Sequence, residues 1–110
     1  MDWLHLLSCF FGGVFLTNAL PHFVSGTMGR PFQTPFAKPP GKGLSSSTVN
    51  VLWGFFNFVV GCLLSRHVGA AEAKLDADLV ALGLGILGMG LVHAQLFGPL
   101  HGGQKPAQRS

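Results

Sequence analysis

Three long apolar segments dominate the chain, and most polar residues lie between them. The segments cover about 3–24, 48–65 and 77–97, so each has about 18–22 residues, the length an α-helix needs to cross a bilayer. This pattern predicts an all-α integral membrane protein in which three transmembrane helices form a single domain over residues 1–100. The remaining residues, 101–110, show no apolar periodicity and predict a flexible C-terminal tail.

A long loop, 25–47, joins the first two predicted helices and is rich in proline and glycine. Its prolines exclude a continuous helix through its middle. The Pro-Phe pairs at 31–32 and 35–36 predict an extended segment whose two rings enter the membrane interface or the helix bundle. So long a loop in so small a protein is itself a candidate functional element.

The composition indicates that lipid, and not water, surrounds much of this protein. Hydrophobic residues make up 48% of the chain, charged residues only 10%, and the mean hydropathy is +0.46. A soluble chain carries roughly 25% charged residues, so lipid must cover much of this surface. The seven basic residues are scattered between apolar runs. Nucleic acid is therefore excluded as a partner despite the net charge of +3.

The basic residues also predict an orientation. Five of the seven, Arg30, Lys38, Lys42, Lys105 and Arg109, fall in the 25–47 loop or the C-terminal tail, which share one side of a three-span protein. Because basic residues concentrate on the cytoplasmic side, we expect the loop and the C-terminus to be cytoplasmic and the N-terminus to be outside. All four acidic residues then fall on the outer side.

Small residues recur along the second and third predicted helices. Membrane helices pack through small residues because their backbones can then approach closely. The spacing therefore predicts helix packing, either inside one bundle or between protomers. The predicted packing residues are Gly54, Asn57, Gly61, Gly83, Gly85, Gly88 and Gly90.

Polar side chains converge on the predicted cytoplasmic end of the bundle. Hydrogen-bonding groups at membrane depth are costly, so their presence indicates a role. One interpretation is a ligand site; the other is that Asn18, His22 and Asn50 hydrogen-bond the loop backbone and anchor it. The candidate ligand-binding residues are Asn18, His22, Arg30, Lys42, Asn50 and His93.

The residues at this end are compatible with two kinds of ligand. Arg30, Lys42 and the N-terminus of the second helix suit an anionic lipid headgroup. His22 and His93, on different helices, would suit bis-histidine ligation of haem b. No other cofactor or metal is predicted, and the GxxxxGK[ST] spacing of a phosphate loop is absent.

The predicted outer end offers less chemistry. His5 and His67 lie near the membrane boundary, where we expect a partly hydrated imidazole. Cys9 and Cys62 lie in apolar runs and are expected to be buried thiols, with their pairing left open. The expected separation of carboxylates from interior histidines excludes Ser-His-acid triad chemistry.

Several short motifs in the first half of the chain resemble a known pattern. They are N-A-L-P-H-F at 18–23, G-R-P-F at 29–32, P-P-G-K-G at 39–43 and N-V-L-W-G at 50–54. Together they resemble a family of small uncharacterised bacterial inner-membrane proteins with an NxxPHF…GRPF…PPGKG…NxxWG pattern. The resemblance implies a bacterial inner-membrane location and no particular chemistry.

Three functions follow from these features. Three helices are too few for an alternating-access transporter, which is normally built from repeated halves. We therefore expect an accessory or assembly subunit of a larger membrane complex, or a homo-oligomeric scaffold, without chemistry of its own. The alternative is a lipid- or small-molecule-binding component of a channel or carrier. The third is a bis-histidine haem protein.

Overall fold

A computed structural model describes residues 3–66 and 75–104. Three helices, α1 (Trp3–Thr27), α2 (Ser47–Arg66) and α3 (Leu75–His101), are joined between α1 and α2 by a loop with two short strands, β1 (Phe32–Gln33) and β2 (Leu44–Ser45). All three helices are long and apolar enough to cross a membrane. The predicted number of helices and their approximate positions are confirmed. The link between the second and third helices, 67–74, lies outside the described residues.

Local capping explains where the helices begin and end. Gly29, with φ of 74°, follows α1, and the N–H of Arg30 donates to the carbonyl of Ser25, as in a Schellman motif. The hydroxyl of Ser46 accepts the N–H of Val49 and caps the start of α2. Glycine at φ > 0 thus ends α1 three residues later than the predicted boundary, because the apolar stretch alone does not show the cap.

Helix α3 extends to His101, the first residue of the predicted tail. His101 belongs to the helix, and Gly102, with φ of 77°, turns the chain so that the N–H of Gly103 donates to the carbonyl of Gly98. The Gln104 side chain then donates to the carbonyl of Ala94. Residues 101–104 thus form the end of α3 and the turn after it, and 105–110 lie outside the described residues.

The 25–47 loop contains a folded hairpin, so the all-α prediction was incomplete. β1 and β2 are antiparallel, with Phe32 opposite Ser45 and Gln33 opposite Leu44. Thr34 is buried just after β1, and its hydroxyl is 2.5 Å from that of Ser45. Strands of two residues carry no readable alternation, which is why the hydrophobic pattern did not reveal them.

Helix α1 lies at the centre of the bundle. It packs against both α2 and α3, which make few contacts with each other. Glycines allow close approach: a Cβ at Gly54 would lie 2.6 Å from the backbone nitrogen of Phe23, and one at Gly61 would lie 2.7 Å from Cγ of Leu16. A Cβ at Gly85 of α3 would lie closer still to the carbonyl oxygen of Phe10. At these three positions the missing side chain lets the helix backbones approach closely.

Three other predicted packing glycines have a different environment. Gly83, Gly88 and Gly90 of α3 have no atom within 4 Å of their Cβ positions in the described part of the chain. Only 6% of the apolar stretch of α3 is buried, against 39% of that of α1. The packing predicted at these three positions is therefore not made by residues 3–66 or 75–104.

Candidate functional site

The predicted polar residues meet where the hairpin covers the bundle, which we call the loop end. Asn18 and His22 are four residues apart on α1, and Asn50 and Asn57 are seven apart on α2, so each pair shares one helix face. His93 lies on α3 near the same end. We call these five residues the loop-end network.

Asn50 is the centre of the network and is fully buried, with 0% of its surface exposed. Its Oδ1 is 2.9 Å from Nδ1 of His22, and its Nδ2 lies 3.0–3.2 Å from the carbonyl oxygens of Phe32, Ser45 and Ser46. One side chain thus joins α1, α2 and both strands of the hairpin. Asn50 makes the contacts that the loop-anchoring interpretation requires.

Asn18 makes a second connection, between all three helices. Its Nδ2 donates to Oδ1 of Asn57 (2.9 Å), and its Oδ1 is 2.8 Å from Nε2 of His93. The Nδ2 of Asn57 in turn donates to the carbonyl of Trp53 (2.8 Å). These three side chains satisfy one another inside a bundle of apolar helices, where an unmet hydrogen bond would be costly.

The amide partners define the histidine tautomers. An amide oxygen only accepts hydrogen bonds, so His22 must carry its proton on Nδ1 and His93 on Nε2. The opposite ring nitrogens keep the lone pairs and would be the ligands of a haem iron. The ring of Phe97 lies against both imidazoles, with centroid distances of 6.5 Å and 5.1 Å. A porphyrin between the two histidines would compete with this ring for space, so the geometry does not favour haem.

Aromatic contacts hold the hairpin against the helices. Phe32 contacts the rings of His22 and Phe97 edge to face and stacks on His101, at centroid distances of 5.5, 5.0 and 5.2 Å. The Nε2 of His101 is also 2.9 Å from Oε1 of Gln33. The ring of Phe32, in the first Pro-Phe pair, therefore enters the helix bundle, which is one of the two placements predicted for it.

The second Pro-Phe ring remains at the surface. Phe36 is exposed and meets Trp53 edge to face at 4.9 Å. The two cationic candidates, Arg30 and Lys42, are also exposed on the loop. Of the six candidate ligand-binding residues, the structure thus brings together Asn18, His22, Asn50 and His93, and leaves Arg30 and Lys42 outside the network.

The opposite end of the bundle holds polar residues that were expected to be hydrated. His5 is only 4% exposed, and its Nε2 is 3.0 Å from Oδ1 of Asp78 and 3.7 Å from Sγ of Cys9. The expectation of a partly hydrated imidazole was wrong for His5, which is buried. We call His5, Cys9 and Asp78 the opposite-end cluster.

The sequence shows only part of this cluster. His5 and Cys9 are four residues apart and share the buried face of α1 with Ser8 and Gly12, whereas Asp78 stands in the first turn of an apolar helix. Their meeting depends on how α3 packs on α1, which spacing within one helix does not show. Cys9 and Cys62 are both free thiols and do not pair.

Comparison with known proteins adds no relative. No protein-family model, curated protein or solved structure matches the chain. The resemblance drawn from the first-half motifs stays a prediction.

Proposed function

We propose that the protein is an accessory or scaffold subunit whose helix α3 docks against another membrane helix, of a larger complex or of a second copy. The observation that carries the proposal is the glycine-rich side of α3 that no part of the described chain covers. Membrane helices associate through small residues because close backbone packing replaces the hydrophobic effect that lipid removes.

The geometry separates two sides of α3. Gly85 lies on the side packed against α1. Gly83, Gly90 and Ala94 follow the i, i+7, i+11 spacing of a different face, which we call the docking face. Gly90 and Ala94 form a small-xxx-small pair on it. Ala94 is exposed, and the Cβ positions of both glycines have open space around them.

The loop-end network supports the same function. A polar network with every member satisfied makes the hairpin a rigid cap on the bundle instead of a mobile loop. By the positive-inside rule this cap would lie on the cytoplasmic side, and the first-half motifs suggest the inner membrane of a bacterium. The cap would then present the exposed Phe36, Arg30 and Lys42 to a partner or to anionic lipid.

Site-specific photocrosslinking in native membranes tests the docking face. A benzophenone amino acid at Ala94 is expected to give a discrete crosslinked product, and the same group at Leu84, about 100° around the helix from Gly83, is expected to give none. The product's mass distinguishes a second copy from a different protein. In the protein that carries the benzophenone group at Ala94, a second substitution, Gly90→Leu, is expected to abolish the crosslinked product. Gly88→Leu, the matched change outside the docking face, is expected to leave the product unchanged. No product at Ala94, or equal products at both positions, would contradict the proposal.

A lipid-binding function is the second candidate, supported by a groove. Because α2 and α3 diverge over α1, they leave an apolar cavity of about 510 Å³ whose lining includes Leu20, Phe55 and Ile86. Thr17 also lines it, and its buried hydroxyl has no hydrogen-bond partner among the described residues. Such a groove suits a lipid acyl chain. Native mass spectrometry is expected to show lipid bound to the wild type and less lipid bound to Leu20→Trp. Equal amounts of bound lipid in the two proteins would exclude the groove as the lipid-binding site.

A further inference from the structure

The opposite-end cluster gathers three different metal-ligating side chains. The imidazole of His5, the thiol of Cys9 and the carboxylate of Asp78 each offer one atom, and these atoms lie within 4.8 Å of one another. Two residues come from α1 and the third from the first turn of α3. His5 and Cys9 are buried, and Asp78 is partly buried, so little water reaches the point where they meet.

One atom of the cluster, a carboxylate oxygen of Asp78, lacks a hydrogen bond among the described residues. Oδ1 of Asp78 is buried and lacks a hydrogen-bond partner in the described part of the chain. It nonetheless lies 3.0 Å from Nε2 of His5, so the two atoms are close without the alignment of a hydrogen bond. A buried carboxylate oxygen in that state is costly unless a cation completes its surroundings.

We propose that His5, Cys9 and Asp78 bind a divalent transition metal ion, with Zn²⁺ as the best match. Tetrahedral zinc with ordinary bond lengths to nitrogen, oxygen and sulfur separates N from O by about 3.3 Å and N from S by about 3.6 Å. The corresponding distances here are 3.0 Å and 3.7 Å. These two separations therefore match tetrahedral zinc, and the third, between the sulfur of Cys9 and the carboxylate of Asp78, is at most 4.8 Å, so a bound ion would draw these two ligands together.

The ligand types select the metal. Thiolate and imidazole favour zinc and its chemical neighbours, whereas Mg²⁺ and Ca²⁺ require oxygen ligands. Two anionic ligands, the Cys9 thiolate and the Asp78 carboxylate, also balance the charge of a divalent cation in a region poor in water. Three protein ligands leave a fourth tetrahedral position for water or a ligand from outside the cluster.

The bound ion would fasten α3 to α1. Both helices enter this end of the bundle, and the packed side of α3 includes Gly85, next to Phe10 of α1. A metal bridging Asp78 to His5 and Cys9 would set the position of α3 at its first turn. This role is separate from the docking face, which lies on another side of α3.

Cobalt spectroscopy on the full-length, tag-free protein in detergent tests the site. After chelation of any bound metal, Co²⁺ is expected to give tetrahedral ligand-field bands and a thiolate-to-cobalt charge-transfer band, both lost on adding Zn²⁺. Cys62→Ser, the matched control with the chain's other cysteine, is expected to keep both bands. Cys9→Ser is expected to lose the charge-transfer band. Asp78→Asn is expected to weaken binding by at least the roughly 10–100-fold that the loss of an outer-shell partner costs.

X-ray absorption on the zinc-loaded wild-type protein needs no substitution and covers the case in which a variant fails to fold. It is expected to show one sulfur neighbour at about 2.3 Å with lighter atoms at about 2.0–2.2 Å. A zinc shell without sulfur, a charge-transfer band that survives Cys9→Ser or disappears in Cys62→Ser, or no metal binding by the wild type would overturn the proposal.

Discussion

The two ends of α1 each bury a histidine, and they satisfy it in opposite ways. At the loop end, His22 meets Asn50, whose amide also donates to backbone carbonyls of β1 and β2. At the opposite end, His5 meets the thiol of Cys9 and the carboxylate of Asp78. At the loop end, hydrogen-bond donors and acceptors match one another. At the opposite end, most of the groups that meet are hydrogen-bond acceptors.

The difference lies in the chemistry of the partner residues. An asparagine amide supplies two N–H donors and one acceptor, so a few asparagines can satisfy one another and a loop without help from outside. An ionised carboxylate or thiolate supplies only lone pairs, and a cluster of them is completed by a proton or a metal ion. The same type of residue, on the same helix, is thus a structural hydrogen-bond donor at one end and a metal ligand at the other.

The largest expected effect comes from breaking the balanced end. Asn50→Ala leaves His22 and the carbonyls of Phe32 and Ser45 without their buried partner, so we expect a loss of about 2–4 kcal/mol in the free energy of unfolding. Denaturant titration in mixed micelles measures it. Gln95→Ala, which removes an exposed amide from α3, is the control and is expected to be neutral. If the two substitutions changed the free energy of unfolding equally, the network would not stabilise the fold.

A smaller effect is expected from the packing between α1 and α2. Gly54→Ala would place a methyl group 2.6 Å from the backbone nitrogen of Phe23, so we expect it to cost about 1–3 kcal/mol. Gly83→Ala adds the same methyl group in open space and is expected to leave the stability of the isolated chain unchanged or slightly raised. The same titration compares the two, and a Gly83→Ala protein less stable than Gly54→Ala would contradict the arrangement of the helices.

The smallest effect is expected where α3 meets the hairpin. His101→Ala removes the contact with Gln33 and the stacking on Phe32. We therefore expect the free energy of opening the hairpin to fall by about 1 kcal/mol. Hydrogen exchange is expected to speed up at the amides of β1 and β2 and to stay the same in the middle of α1. Unchanged exchange in the hairpin would show that α3 does not hold it.

Some of this structure could be predicted from the sequence because lipid imposes strong rules. Apolar length reveals the three helices, and the cost of polar groups at membrane depth indicates that Asn18, His22, Asn50 and His93 belong together. Both signals depend on composition and depth along single helices. Both signals can therefore be read without knowing which helices pack against each other.

The rest could not be predicted, because it depends on tertiary packing. Glycines occur around much of α3, so periodicity did not separate Gly85, which packs against α1, from Gly83 and Gly90, which face open space. Asp78 and His5 are far apart in sequence and meet only because α3 lies beside α1. The hairpin depends on long-range pairing between strands of two residues.

The most direct test of the contrast between the two ends is the effect of zinc on stability. With free Zn²⁺ at about 100 times its dissociation constant, the free energy of unfolding of the wild type is expected to rise by about 2.7 kcal/mol. Asn50→Ala and Cys62→Ser should gain the same amount, and Cys9→Ser should gain nothing. A wild type that zinc leaves unchanged, or a Cys9→Ser protein that gains as much as the wild type, would contradict the account.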